Sequence, residues 1–380
     1  MKSLPIITVA VFVLIGCTQK KQENTSFFKL NTADFKSTVK GKETGLYILK
    51  NSSGMEAAIT NYGGRIVGLT AADRDGEMKD VILGFNSIEG YLKANEVFHG
   101  ALIGRVGNRV GNGKFTLDGV EYKLPLNNGP NQLHGGVDGF HNQVWGVKKV
   151  TANSIVLTYL SKDGEMGYPG NLSVEVTYVL NDKNEFELHY KATTDEKTVV
   201  NLTSHPFFNL AGEGNGTINN HILKINAEKY TAVDSTLIPL GENVPVVGTP
   251  FDFRNGKAIG QDLGAQKTNA QLQHGLGYDH NFELNPPANG EMFMAASILD
   301  PESGRVMEIY TIEPGLQFYG GNFMDGSDIG NSGKAYEFRE SFALETQHFP
   351  DALNQPNFPS IELNPGETYS TKTIYAFKTK

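Results

Sequence analysis

The chain has 380 residues, a formal net charge of −9 and a single cysteine, Cys17. Its positive charges form no basic run, which argues against a nucleic-acid partner, because such binding needs a clustered cationic surface. A single cysteine excludes an intramolecular disulfide. The fold must therefore rest on its apolar core, and a chain of this length can bury a large one.

The N-terminus predicts export. Lys2 precedes an apolar run at residues 4–15, which is shorter than the roughly 20 residues of a transmembrane helix and is typical of a signal peptide. The run ends in Gly16 and Cys17, which resemble a bacterial lipoprotein cleavage box. We expect residues 1–16 to be a signal peptide and residues 17–27 to be a lipidated Cys17 with a polar tether. The alternative is a generic signal peptide with an incidental cysteine.

Lipidation at Cys17 would make the protein an exported, membrane-anchored lipoprotein, in the periplasm or at the outer membrane or cell surface. The anchor would be its only contact with a membrane, because no second apolar run of spanning length follows.

Residues 28–380 are predicted to form a single all-β domain. Asn-Gly and Asp-Gly pairs recur, and these favour the positive φ angles of tight turns. Between them lie β-like runs at 154–160, 172–180, 185–192 and 367–377, and the third alternates apolar with polar residues as a half-buried strand does. Helical patterns are limited to short turns near 87–93 and 257–263. Many antiparallel strands with glycine-rich turns indicate a large sandwich or barrel.

Several common catalytic motifs are absent from the sequence. There is no His-Glu-x-x-His zinc pair and no Gly-x-Ser-x-Gly nucleophile turn. Residues 107–114 resemble a phosphate-binding loop only faintly, because the glycine spacing is wrong and Phe115 stands where Ser or Thr is needed. No residues have dedicated metal-ligand spacing, so we expect neither a metal nor another cofactor.

Polar residues interrupt the β-like sequence in six short segments, which are the candidates for chemistry. Several of these residues also have purely structural interpretations. These interpretations are surface cations or ion-pair members for Arg105 and Arg109, a turn cap for His134, a turn residue for Asp279 and an exposed strand residue for Gln317.

His205 and Glu345 are the strongest candidates. His205 lies in the apolar segment 199–210, which predicts a buried strand. It is either a core histidine with satisfied nitrogens or an acid/base in a dry pocket. Glu345 follows an apolar triplet, where a carboxylate must either be paired with another group or take part in binding or catalysis. With ordinary pKa values of about 4.3 and 6.5, the carboxylate suits a base and the imidazole an acid near neutral pH. Small polar groups among aromatics and glycines suit a sugar.

Six strings, in this order, strongly resemble the aldose 1-epimerase (galactose mutarotase) family. They are IGRVGNR (103–109), NQLHGG (131–136), NLTSHPFFNL (201–210), YDH (278–280), PGLQFY (314–319) and LETQ (344–347). The resemblance covers about residues 28–380. It implies an antiparallel supersandwich fold and interconversion of the α and β anomers of a free aldohexose such as galactose or glucose.

The resemblance also implies roles for individual residues. Glu345 would take the proton from the O1 hydroxyl and His205 would protonate the ring oxygen O5, with the two roles exchanged on reclosure. His134 would bond the sugar near the reacting centre and assist protonation. The sugar hydroxyls would be bound by Asn108, Arg109, Asp279 and Gln317.

One position departs from the family pattern, and two other functions compete with epimerisation. Phe207, at an implied substrate-binding position, stands where the family commonly has Tyr, which removes a hydroxyl from the pocket but leaves the catalytic pair intact. A non-catalytic sugar-binding protein would not need Glu345 and His205 together. An epimerase of phosphorylated sugars would need further cations near the pocket. We expect a monomer or weak dimer.

Overall fold

The structure, a computed structural model, describes residues 26–380. The predicted signal peptide and Cys17 lie outside that range.

The described residues form an all-β fold with two short α-helices, α1 (Ile88–Lys93) and α2 (Ala270–His274). None of the helices in residues 26–380 has the length and apolar character needed to span a membrane. In chain order, the strands are β1 (Thr38–Val39), β2 (Lys42–Glu43), β3 (Leu46–Lys50), β4 (Glu56–Thr60), β5 (Ile66–Ala72), β6 (Met78–Asp80), β7 (Ala101–Ile103), β8 (Arg109–Val110), β9 (Lys114–Leu117), β10 (Val120–Lys123), β11 (Gln132–Leu133), β12 (Gly146–Val150), β13 (Ser154–Ser161), β14 (Leu172–Leu180), β15 (Glu185–Thr194), β16 (Thr198–Val199), β17 (Thr203–His205), β18 (Ile222–Ile225), β19 (Ala227–Val233), β20 (Pro239–Pro245), β21 (Lys257–Ala258), β22 (Asp279–Leu284), β23 (Phe293–Leu299), β24 (Arg305–Thr311), β25 (Gly315–Tyr319), β26 (Ala343–Gln347), β27 (Glu362–Leu363) and β28 (Tyr369–Thr379).

Nine strands form the largest sheet, in the order β12-β13-β14-β15-β28-β24-β23-β18-β21, and neighbouring strands are antiparallel. In β15, Phe186, Leu188 and Tyr190 are buried while the residues between them are partly exposed. The period-2 pattern in the sequence therefore predicts the face of this strand that packs on the core.

The four predicted strands are present, with small shifts at their ends. β14 has the predicted bounds, and β13 and β15 end one and two residues later than predicted. The C-terminal strand begins at Tyr369 rather than at 367, because a turn between Asn364 and Glu367 holds the preceding chain. It continues past 377 because Thr379 pairs with Arg305 of β24.

Only one of the two predicted helical turns is correct. Helix α1 occupies the predicted region near 87–93 and is capped by the side chain of Ser87, which accepts a hydrogen bond from the Gly90 amide. The turn predicted at 257–263 is wrong, because Lys257 and Ala258 extend to pair with β18 at the sheet edge. Helical backbone begins only at Leu263, as a 3-10 segment that precedes α2.

A five-stranded sheet, ordered β20-β19-β22-β25-β26, packs against the same core as the large sheet. One hydrophobic cluster contains Leu188 and Tyr375 from the large sheet together with Phe282, Leu316 and Leu344 from the smaller one. Because side chains alternate along a strand, the residues next to Phe282, Leu316 and Leu344 in their own strands point to the opposite face of the sheet. That opposite face carries the polar residues of the candidate site.

Short antiparallel ribbons bring the remaining segments to that face. Strand β17 pairs with β7, and β8 pairs with β11. A four-stranded sheet, β3-β4-β5-β6, adds Leu49, Ile59 and Leu69 to the main hydrophobic cluster. The two ribbons and the four-stranded sheet place the loops that follow β7 and β11, together with the end of β17, opposite the five-stranded sheet.

Candidate active site

Three neighbouring strands of the five-stranded sheet align four polar side chains on one face. Gln317 on β25 lies directly opposite Glu345 on β26, and it pairs on its other side with Asn281 of β22. Asp279 is two residues before Asn281 and so shares its face. The Gln317 side chain donates a hydrogen bond from Nε2 to Asp279 Oδ1 at 2.6 Å. Register therefore assembles residues that are far apart in the sequence.

His205 faces Glu345 from the end of β17. Its Nε2 lies 3.5 Å from Glu345 Oε1, and the two residues are 5% and 1% exposed. His205 Nδ1, Glu345 Oε2 and Gln317 Oε1 are buried without a hydrogen-bond partner. Unsatisfied buried polar atoms are rare in folded proteins. Three such atoms on the facing pair and on the neighbouring Gln317 indicate a site shaped for a polar ligand.

The segment around His205 is buried as predicted but is not one strand. It divides into β16 and β17, because Asn201 and Leu202 bond instead to the Arg105 carbonyl and to the Tyr369 hydroxyl. Pro206, which has no N–H, follows the last residue of β17. His205 thus stands at a strand end, where its ring can project into a pocket.

His134 lies beside His205, with ring centroids 5.3 Å apart. The Asn108 amide donates to His134 Nδ1 at 3.1 Å. That nitrogen must therefore be unprotonated, and the ring proton belongs on Nε2. The hydrogen bond makes His134 a donor through Nε2.

The glycines beside His134 support the loop more than they expose it. Gly135 has a φ of +82°, and a Cβ there would lie 2.0 Å from the Gly104 carbonyl oxygen. The sequence suggested that these glycines let a ligand approach the backbone. At Gly135 the close approach is made by the protein's own chain.

The two arginines of the first string have different roles. Arg109 Nη2 lies 3.5 Å from Asp279 Oδ2, and its Nε donates to Asn128 Oδ1 at 3.0 Å. Arg105 is 2% exposed and bonds to the carbonyls of residues 161, 162, 169 and 170. Neither is a surface cation. Arg109 belongs to the site, whereas Arg105 ties together the loops around it.

A cleft of about 840 Å³ opens beside these residues. Its walls include Phe98, Arg109, Asn128, Leu133, His141 and Phe323. The Phe98 ring contacts three imidazoles, with centroids 4.6 Å from His134, 4.8 Å from His141 and 6.0 Å from His205. Phe323 is 46% exposed and stacks on Tyr319, which offers an apolar face to a ring. Phe98 could not be found from the sequence, because it lies outside the polar segments.

Phe207 lies behind the site. It is fully buried, its ring centroid is 4.7 Å from that of His205, and it packs on His99 at 4.5 Å. Phe207 therefore packs against the imidazole of His205 and supports it.

Burial shifts the pKa values of the facing pair in opposite directions. It raises the pKa of the Glu345 carboxyl well above its ordinary value, an effect that Asp279 strengthens and Arg109 opposes. It lowers the pKa of His205 to about 3, and it lowers the pKa of His134 well below its ordinary value. The ordinary values used at the sequence level therefore do not hold, because desolvation disfavours both charged forms. Both shifts favour, in the free pair, a carboxylic acid facing a neutral imidazole.

That neutral pair holds the same number of protons as a carboxylate facing an imidazolium. Moving one proton across the 3.5 Å gap between Oε1 and Nε2 converts one form into the other. The pair can therefore act as acid and base without exchanging a proton with solvent.

The raised pKa of Glu345 predicts a pH-dependent gain in stability for Glu345→Gln. The unfolded carboxyl loses its proton above a pH of about 4.3, whereas the raised pKa lets the folded one keep its proton to a higher pH. The parent therefore loses stability as the pH rises, by up to about 1.4 kcal/mol per pH unit. Gln cannot ionise, so the variant's advantage in urea unfolding should be smallest at pH 4 and larger at pH 7.

Glu313→Gln is the matched control for that measurement. Glu313 is a buried carboxylate that accepts a hydrogen bond from His348 Nδ1 at 2.7 Å, and its replacement should give no such gain. A difference in unfolding free energy between parent and Glu345→Gln that is equal at both pH values would contradict the assignment of a proton to this carboxyl.

The site also has side chains of the kinds that act as metal ligands. One ligand atom each from His134, His205 and Glu345 lie within 4.8 Å of one another. A metal on His134 Nε2 would need the ring proton on Nδ1, where it would face the Asn108 N–H. This hydrogen bond favours a role in hydrogen bonding to a ligand over a role in metal binding.

The comparisons with known proteins agree with this geometry. A family model described as "Aldose 1-epimerase" matches residues 45–376. The chain belongs to the aldose 1-epimerase family. Galactose mutarotase of Bos taurus is 46% identical over 326 residues, which cover 86% of this chain and 92% of that protein. Aldose 1-epimerase of Escherichia coli (strain K12) is 36% identical over 339 residues, which cover 89% of this chain and 96% of that protein.

Solved structures of the aldose 1-epimerase family share the fold. A GalM/aldose epimerase homologue from C. elegans superposes with a TM-score of 0.81 at 29% identity, covering 88% of this chain and 99% of that one. Galactose 1-epimerase from Lactobacillus acidophilus NCFM gives a TM-score of 0.77 at 29% identity, covering 90% and 97%. The expected all-β fold of the galactose mutarotase type is confirmed.

Proposed function

We propose that the protein is an aldose 1-epimerase, an isomerase that interconverts the α and β anomers of free aldohexoses such as galactose and glucose. The observation that carries the proposal is the buried, facing pair of His205 and Glu345, 3.5 Å apart, each with a further polar atom that lacks a partner. Membership of the aldose 1-epimerase family supports it, as does the similarity to galactose mutarotase of Bos taurus and aldose 1-epimerase of Escherichia coli (strain K12).

The reaction needs one group to accept a proton from O1 and another to donate one to O5. The raised pKa of Glu345 and the lowered pKa of His205 favour the form of the free pair with its proton on Glu345. A sugar whose O1 hydroxyl donates to Glu345 and whose O5 accepts from His205 favours the carboxylate–imidazolium form. Glu345 then takes the O1 proton as His205 gives its proton to O5, the C1–O5 bond breaks, and the aldehyde rotates about C1–C2. Reclosure on the other face reverses both proton transfers, so the protein ends unchanged.

The surrounding residues would position the sugar. His134, a donor through Nε2, would bond the sugar near O5 and assist protonation. Gln317 has a free Oε1, and Asp279 is held by Gln317 and Arg109. Asn108 fixes the His134 tautomer through its amide, while its side-chain oxygen accepts from the Arg109 amide at 2.8 Å. These groups would bind the hydroxyls and hold the ring over the reacting pair.

Polarimetry tests the proposal. Freshly dissolved α-galactose, glucose, xylose, arabinose and fucose would each be followed with and without the protein. We expect a rate of anomer equilibration that rises in proportion to protein concentration for at least one hexose. Sugar binding with no increase in rate over buffer would instead support the non-catalytic sugar-binding alternative.

Export and lipid anchoring at Cys17 form a separate part of the proposal, as does a monomeric or weakly dimeric state. The sequence at residues 4–17 supports the anchor. We expect Cys17→Ser to move the protein from the membrane fraction to the soluble fraction of cell extracts, because the variant has no thiol to lipidate. A parent protein found in the soluble fraction would contradict anchoring.

A further inference from the structure

Glu96 is a carboxylate in the wall of the cleft that the proposed mechanism does not use. It lies between α1 and β7, is partly buried, and lines the cleft together with Phe98 and Arg109. Its Oε1 accepts a hydrogen bond from the Phe98 amide at 3.0 Å. Within residues 26–380, no protein donor bonds to its Oε2. One oxygen thus fixes the carboxylate, and the other is available to a ligand.

The backbone that carries Glu96 is held on both sides. Asp328 accepts hydrogen bonds from the amides of Asn95 at 2.9 Å and Glu96 at 3.0 Å. The buried Arg65 donates to the carbonyls of Val97 and His99 at 2.8 and 2.7 Å. The carboxylate is therefore presented by a fixed segment.

The charge of Glu96 acts on Glu345, one member of the reacting pair. It contributes to the raised pKa values of Glu345 and of Tyr319. Burial raises the pKa of Glu96 itself to about 7, with Asp328 and Asp279 adding to the effect and Arg65 opposing it. Glu96 also shares the cleft wall with Arg109, which pairs with Asp279, and with Phe98, whose ring lies against those of His134 and His205. Its charge can therefore affect a sugar bound there.

We propose that Glu96 is a specificity-determining residue that accepts a hydrogen bond from a sugar hydroxyl other than O1 and that disfavours anionic sugars such as uronates and sugar phosphates. The inference rests on the proposed epimerase activity. A carboxylate oxygen is a strong acceptor for a hydroxyl. Placed against a ligand carboxylate or phosphate, the same charge is repulsive, and Arg109, the site cation, is already paired with Asp279.

Glu96→Gln tests both parts of the inference, because the amide oxygen can still accept from the Phe98 amide. With galactose, we expect KM to rise about tenfold while kcat stays within about twofold, as for an interaction made equally in ground and transition states. The ratio of kcat/KM for galacturonate to kcat/KM for galactose should rise at least about tenfold. Glu96→Asp, which keeps the charge but shortens the side chain, should raise KM and keep the discrimination against galacturonate.

Glu89→Gln is the matched control. Glu89 lies on α1, is exposed and pairs with Lys93, so its replacement should leave KM and discrimination unchanged. The parent should have a lower KM than Glu96→Gln. This difference in KM should be largest above pH 7 and should shrink at lower pH, where the Glu96 carboxyl of the parent takes up a proton.

Two results would overturn the inference while leaving the epimerase proposal intact. One is an active parent whose KM and discrimination are unaffected by Glu96→Gln. The other is a variant that loses kcat at unchanged KM. A parent that does not accelerate anomerisation at all would instead contradict the proposed function.

Discussion

Glu345→Gln is expected to lower kcat for galactose anomerisation by about 10²- to 10⁴-fold, the usual contribution of a positioned acid or base. Gln fills the same space but cannot take the O1 proton. KM should change little if Glu345 acts mainly in the transition state. Polarimetric initial rates measured at several galactose concentrations separate the two constants.

His205→Asn should lower kcat by a similar factor, because residue 205 could then no longer donate a proton to O5. Since each proton transfer requires the other residue, the double variant should be little slower than either single variant. Losses that multiply in the double variant would contradict a coupled pair.

Buried residues outside the site supply the controls. Glu313→Gln removes a buried carboxylate, and His221→Asn removes a buried imidazole whose Nε2 accepts from the Leu210 amide at 3.1 Å. Both should keep kcat within a few-fold of the parent. A large loss in either control would show that activity responds to buried polar changes in general.

Arg105→Met is expected to destabilise the fold by at least about 3 kcal/mol, because it leaves several buried carbonyls without a donor. Arg105 bonds to the backbone of Ser161, Lys162, Pro169 and Gly170 and to the Thr198 hydroxyl. Urea unfolding at neutral pH measures the loss directly.

Arg109→Met is the matched comparison for that prediction. Arg109 bonds to Asn128 and pairs with Asp279 at the site, so its loss should affect KM more than stability. Equal stability losses in the two variants would contradict the division of roles between these arginines.

The sequence predicts four of the nine strands of the large sheet, β13, β14, β15 and β28, because these strands have one buried and one partly exposed face. The alternation of Phe186, Leu188 and Tyr190 is enough to identify β15. The segment 257–263 misleads, since pairing of Lys257 and Ala258 with β18 overrides local preference. Alternation cannot show that Gln317 lies opposite Glu345, because strand pairing depends on the whole topology.

The polar segments of the sequence point to the residues of the candidate site, the family resemblance supplies their roles, and the structure brings them together. Their electrostatic state could not be predicted, because the raised pKa of Glu345 and the lowered pKa of His205 result from burial. The tautomer of His134 depends on one amide, that of Asn108. Glu96 lies outside every family-like string, and only its place in the cleft wall reveals it. The single-domain assignment for residues 28–380 and the lipid anchor stay predictions.

The most direct test of the central claim is the initial rate of optical rotation change of fresh α-galactose with equal amounts of parent, Glu345→Gln and Glu313→Gln. We predict acceleration by the parent and by Glu313→Gln, and a rate about 10²- to 10⁴-fold lower for Glu345→Gln. A Glu345→Gln protein as fast as the parent would contradict the assignment of this carboxyl as the group that exchanges a proton with O1.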